Sequence, residues 1–151
     1  MYGVVVAMDR WIELNKARER ELSEILREFV SRRCGEADVV LFGSRARGDF
    51  HALSDWDIAL ISLEGAYVVI QEEFGQSVRV PVQQIDELLE ESALILDVAH
   101  DGVLLCGRGD YWQLLVKKAR EYIAKRRLVR TSAGWFPLAA QRQLPDRGRL
   151  L

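Results

Sequence analysis

Between Leu41 and Leu60 the chain reads Leu-Phe-Gly-Ser-Arg-Ala-Arg-Gly-Asp-Phe-His-Ala-Leu-Ser-Asp-Trp-Asp-Ile-Ala-Leu. Asp55 and Asp57 are two apart at what reads as the start of a strand, so both carboxylates face one side and Trp56 the other. Close carboxylates repel each other. A hard divalent cation such as Mg²⁺ removes that cost and leaves much of its shell to water and phosphate oxygens. Upstream, Gly43-Ser44 ends an apolar run and leads into a short helix. Glycine allows close backbone approach to a ligand, while the Ser44 hydroxyl and the free N–H groups of a helix start form an anion site. Arg45 and Arg47 are the nearest cations and can reach a polyphosphate. A phosphate-holding turn beside paired carboxylates is what metal-assisted nucleotidyl transfer requires.

These residues need elements to hold them. Asp38 to Phe42 is a short valine-rich run, a buried strand ending at Gly43, and Trp56 to Ile61 is a second strand. Val78, Val80 and Val82 alternate with Arg79, Pro81 and Gln83, the period of a half-buried strand, and Val103 to Cys106 forms a further apolar run. Helical spacing predicts a helix from Trp11 to Arg33, capped by Asp9 and stopped by Gly35. It predicts another through Tyr67, Ile70 and Phe74. Asp86 caps a helix holding Leu88, Leu89, Ile95 and Leu96; Asp110 caps one with Trp112, Leu115, Ala119, Tyr122 and Ile123 on one face. Strands alternating with helices make the class α/β (α+β), a small mixed sheet flanked by helices. One domain spans residues 1–130 with its motif core at 38–107, and 131–151 reads as an irregular tail docked by Trp135 and Phe136.

An apolar fraction of 49% with 29% charged residues excludes disordered and fibrous classes. Charge is unevenly spread: residues 1–116 carry 11 Lys/Arg against 21 Asp/Glu, and residues 117–151 carry 10 against 2. The basic end suits an acidic partner, a nucleic acid, or the acidic body of its own chain. Cys34 and Cys106 are isolated and far apart, which predicts neither a disulfide framework nor a zinc site. Cys106, in an apolar run, reads as buried and inert. Val4 to Val6 has no basic region before it and is too short to span a membrane, so the expectation is a cytoplasmic protein without membrane contact.

The segment GSRARGDFHALSDWDIAL resembles the polymerase-β-like nucleotidyltransferase superfamily, and most of all its minimal nucleotidyltransferases (MNT), the antitoxin partners of HEPN-domain toxins. The resemblance continues to the GVLLCG run ending at Gly107, similar to that family's closing strand. It implies that Gly43 and Ser44, with Arg45 and Arg47, bind nucleotide phosphates and that Asp55 and Asp57 are the catalytic metal ligands for Mg²⁺. The implied reaction moves a nucleoside monophosphate, AMP from ATP, to a hydroxyl, with a tyrosine of a HEPN-type toxin as the acceptor. The superfamily also uses a third carboxylate on a later strand. Counting back from the helix start at Asp86-Glu87 puts Pro81 there, which can neither bind metal nor accept a proton. Lacking a ladder donor, it places the strand at an edge or distorts it. In another register Asp86, Glu72 or Glu73 substitutes.

Two rival readings stay open. In one, the protein binds nucleotide without processing it and neutralises its partner by docking. In the other, it transfers to RNA or a small molecule, with RNA met by the basic end. A homodimer is compatible with so small a domain. Other features read as structural. Arg47-Gly48-Asp49 is a turn, the glycine spacing is not that of a P-loop, His51 sits in a surface loop, and His100 meets carbonyls at a helix end. Trp112 and Tyr122 read as core or dimer contacts.

Overall fold

The computed structural model describes residues 2–51 and 53–141, with only the backbone described for 2–8, 11, 140 and 141. A long helix α1 (Tyr2–Ser31) leads into β1 (Asp38–Phe42), the short α2 (Ser44–Arg47) and β2 (Trp56–Ser62). Next come β3 (Val68–Glu72), β4 (Gly75–Pro81), α3 (Ile85–Glu91), α4 (Ala93–Asp101), β5 (Val103–Cys106) and α5 (Asp110–Arg126). The described chain closes with β6 (Leu128–Thr131), β7 (Gly134–Pro137) and α6 (Leu138–Gln141). The main sheet has the order β3-β4-β2-β1-β5. β2 and β4 are parallel and the other neighbours antiparallel, so the sheet is mixed, as the sequence implied.

Alternation along the strands gives the sheet two apolar faces. Val39, Ile58, Leu60 and Phe74 face Leu22, Ile25, Leu26 and Phe29 of α1. Val40, Phe42, Ala59, Ile61, Val78 and Val80 face α3, α4 and α5 through Ile85, Leu88, Ile95, Val98 and Leu115. Helix α1 begins well before Asp9, so that residue is not its cap. The N-cap of α5 is Gly109 rather than Asp110, and the Asp38 carboxylate of β1 accepts from the amides of Gly109 and Trp112, both at 3.0 Å.

Several expectations are corrected here. The segment expected to be helical around Ile70 is the edge strand β3, which turns through Glu73 and Phe74 into β4. Its β-branched Val68-Val69-Ile70 run suits a strand, and Phe74 is buried with its ring 5.0 Å from that of Phe29. Ser92 is extended (φ −135°, ψ 112°) and splits the helix expected after Asp86 into α3 and α4. A 3₁₀ turn, Val82–Gln84, separates β4 from α3.

Residues 131–141 are not irregular: β6 and β7 pair as a hairpin, and Trp135 packs on the core. The expected boundary after 130 therefore falls inside β6, while residues 142–151 of the expected tail lie outside the described residues. Three of the basic residues pair with the chain's own acidic body, Lys118 with Asp86 at 2.8 Å, Arg126 with Glu90 at 3.2 Å and Arg130 with Asp97 at 3.6 Å. Cys34 and Cys106 form a disulfide with Cα atoms 5.4 Å apart, tying the turn after α1 to β5. Spacing could not show this pairing, because only the sheet brings two residues 72 apart into contact. Among the described residues no helix is long and apolar enough to cross a membrane.

Candidate active site

β1 and β2 run antiparallel with Phe42 opposite Asp57, so the turn leaving β1 meets the first residues of β2. Gly43 there adopts φ 75°, a left-handed conformation that favours glycine. A Cβ at Gly43 would collide with the Asp57 carboxylate, which occupies that space. Close approach is thus required as the sequence suggested, but the group that approaches is a carboxylate of the same chain. Ser44 opens α2, and the amides of Ala46 and Arg47 return to the Gly43 carbonyl at 3.1 and 3.0 Å.

Asp57 is half-buried between Gly43 and β4. Burial raises its pKa above the ordinary carboxylate value and the charge of Asp55 adds to this, while the Gln76 side chain and Arg47 oppose it. Asp55, exposed, precedes β2 on the same side. Two oxygen-donor groups held together, one of them costly to ionise, fit a hard divalent cation that takes its remaining ligands from phosphates and water. Among the described residues no group of three His, Cys, Asp or Glu side chains is placed to hold a metal.

The expected position of the third carboxylate is corrected by the register of β2 and β4. Pro81 pairs with Ser62 at the far end of the strands, while the residue opposite Asp57 is Gln76. Nor is β4 an edge strand, since it lies between β3 and β2. Gly75, beside it, passes so close to Trp56 and Asp55 that a side chain there would clash with the backbone of β2. Glu72, opposite Gly75 on β3, accepts from the Ser77 hydroxyl at 2.9 Å, and Ser77 lies on the sheet face opposite Gln76.

The two arginines of the motif part company. Arg45 is turned inward with its side chain 3% exposed, so it is not available to a polyphosphate as expected. Its guanidinium makes two bonds to Glu19 of α1 at 2.8 and 3.1 Å, and two to the Ser54 carbonyl at 3.3 and 3.0 Å. It also stacks between Phe50 and Trp56, at 4.5 and 4.2 Å. Arg45 thus ties the turn after β1 to the residue preceding Asp55. Arg47 stays at the surface near Asp57, bound to Asp101 at 2.8 Å and Asp49 at 3.2 Å, and these acids raise its pKa further.

His51 belongs to the loop, as expected, where its Nδ1 accepts from the Leu53 amide at 3.2 Å. His100 does not cap carbonyls: it lies against Asp101 and edge-on to Trp135. Sequence reading missed Glu19, Gln76, Asp101 and Arg130. None of them lies inside the motif, and their placement depends on long-range pairing.

The profile of the nucleotidyltransferase domain family matches residues 20–99, more than half of the chain and all of Gly43, Ser44, Asp55 and Asp57. The chain belongs to the nucleotidyltransferase domain family. No curated protein matches this nucleotidyltransferase domain. Among solved structures, one described as the crystal structure of the toxin-antitoxin with AMP-PNP resembles it with a TM-score of 0.40 and 21% identity, over 72% of this chain and 92% of that one.

Proposed function

We propose that this nucleotidyltransferase domain is a Mg²⁺-dependent enzyme that transfers AMP from ATP to a hydroxyl. The observation that carries the reading is the Asp57 carboxylate lying against Gly43, with Asp55 beside it and Ser44 at the start of α2. Asp55 and Asp57 would hold the metal, which when bound draws charge from the triphosphate oxygens. Gly43, Ser44 and Arg47 would hold the phosphates. The acceptor oxygen bonds to the α-phosphorus as the bond to the bridging oxygen breaks. Pyrophosphate leaves with that electron pair, and the hydroxyl proton passes to solvent. The resemblance of GSRARGDFHALSDWDIAL to minimal nucleotidyltransferases supports a toxin partner, a tyrosine acceptor on a HEPN-type protein and an antitoxin role. Nucleoside triphosphate supply favours the cytoplasm as the place of action.

A second reading is carried by Gln76. An amide stands beside Asp57, and an amide cannot take the hydroxyl proton or add a charged ligand. Loss of one catalytic acid costs on the order of 10²–10⁴ in rate. In that reading the domain binds nucleotide and neutralises its partner by docking.

Transfer of label from α-labelled ATP to the protein or a co-purified partner, with Mg²⁺, separates the two. Metal-dependent label that disappears in Asp57→Asn supports the enzyme. Binding of Mg²⁺-ATP without label, lost in the same variant, selects the docking module.

A further inference from the structure

The last turn of α4 joins the candidate site to the C-terminal hairpin. The Asp101 side chain is 2% exposed and accepts from Arg47 at 2.8 Å on one side. On the other it accepts from both terminal nitrogens of Arg130, one of them at 2.9 Å. Arg130 comes from β6 and also lies 3.6 Å from Asp97, one turn back on α4. Asp97 in turn accepts from the indole N–H of Trp135 at 2.9 Å. Asp97 and Asp101 thus hold the hairpin, and Asp101 alone also reaches the arginine at the end of α2.

Shared in this way, Asp101 gives only part of its charge to Arg47. With Arg130 absent, Asp101 would keep only Arg47 and the exposed His100 ring as partners and give more of its charge to Arg47, and Asp97 would lose its cation. Resting on the nucleotide site described above, we propose that Arg130 is a positioning residue for the triphosphate. By sharing Asp101 it keeps Arg47 in place beside Asp57 with charge left to attract the β- and γ-phosphates. Discrimination between a nucleoside triphosphate and a monophosphate then depends on a hairpin that touches neither.

Titration calorimetry with Mg²⁺ and a non-hydrolysable ATP analogue, repeated with AMP, tests this. Arg130→Gln keeps a donor for Asp101 but removes the charge, and should weaken the ATP analogue on the order of tenfold while leaving AMP unchanged. Arg130→Lys, a point charge without the fork, should recover part of the loss. Trp135→Phe removes the bond to Asp97 but keeps a ring on the core, and should leave the ratio of affinities intact. Equal weakening of both nucleotides in Arg130→Gln, or no change in either, overturns the inference and leaves the nucleotide site standing. A wild-type protein that binds neither nucleotide sinks the site and this inference together.

Discussion

The carboxylate of Asp57 occupies the space in which Gly43 would carry a side chain. Two motif halves that are loosely spaced in sequence are therefore one packed unit, and each requires the other. Gly43→Ala is expected to act twice. It forces alanine into φ 75°, costing about 1–2 kcal/mol of stability, and it pushes Asp57 off its position. A displacement of about 1 Å at a reacting group typically costs on the order of 10²-fold in rate. Labelling from α-labelled ATP by Gly43→Ala should fall at least that far while circular dichroism shows a folded protein. Labelling within a few fold of wild type would show that Asp57 does not need this contact.

Arg45 and Glu19 predict a loss of stability rather than of phosphate contact. Breaking a buried ion pair by removing one partner costs about 3–5 kcal/mol, and the two-pronged, stacked geometry is not one lysine can reproduce. Urea denaturation of Arg45→Ala should show a loss of about 3 kcal/mol, with Arg45→Lys recovering less than half. A double-mutant cycle with Glu19→Ala should give a coupling above about 1 kcal/mol. Independent, additive effects would show that the pair is incidental.

The Cys34–Cys106 bond closes a loop of 72 residues and sits toward the end of β1 opposite Gly43, where Cys106 pairs with Val39. Reduction, or the Cys34→Ser/Cys106→Ser pair, should lower stability by about 2–4 kcal/mol through the freed unfolded chain. Affinity for Mg²⁺-ATP should stay within about twofold, because strand β1 and its partner β2 hold the site without the crosslink. Thermal unfolding with and without reductant, alongside nucleotide titration, checks both halves. A large drop in affinity on reduction would show that the crosslink reaches the site.

The contrast between what was and was not legible follows the range of each interaction. Gly43, Ser44, Asp55 and Asp57 lie within one strand-turn-strand passage, so their types and spacing are enough to point to the family that residues 20–99 match. Arg45 could not be read in this way, because its partner Glu19 lies 26 residues upstream on another element. The third position next to Asp57 was misplaced for a definite reason. Counting back from the helix start gave Pro81, but the three residues of the Val82–Gln84 turn intervene between strand and helix, and the strand starts at Gly75. Register in the sheet, not distance from a helix, decides that neighbour. Helical spacing at Tyr67, Ile70 and Phe74 lost to β-branched residues pairing along β4. The hairpin after 127 was hidden because its hold on the body is Trp135 and Arg130 meeting Asp97 and Asp101, which no local pattern reveals.

The pKa values of Asp57 and Asp101 are shifted in opposite directions, one raised by burial and the other lowered by its bonds. Burial holds the pKa of Asp57 above its ordinary value, so the folded state retains a proton that the unfolded chain has lost. Stability then falls as pH rises through the interval from the ordinary carboxylate value up to the raised one. Asp101 is the reverse. Burial pushes its pKa up, but bonds from Arg130, His100 and Arg47 outweigh this and bring it down to about 2. Its contribution is present above the ordinary carboxylate value and is lost as pH falls toward 2. Without metal at pH 7, Asp57→Asn should raise Tm by about 1–3 °C, and the gain should vanish near pH 3. Asp101→Asn should cost about 2 kcal/mol at pH 7, with the deficit shrinking below about pH 4. Adding Mg²⁺ and a non-hydrolysable ATP analogue should stabilise wild type and not Asp57→Asn. Thermal melts of the three proteins between pH 3 and pH 8 measure all of this, and an Asp57→Asn variant less stable than wild type at neutral pH would show that the carboxylate serves the fold rather than a ligand.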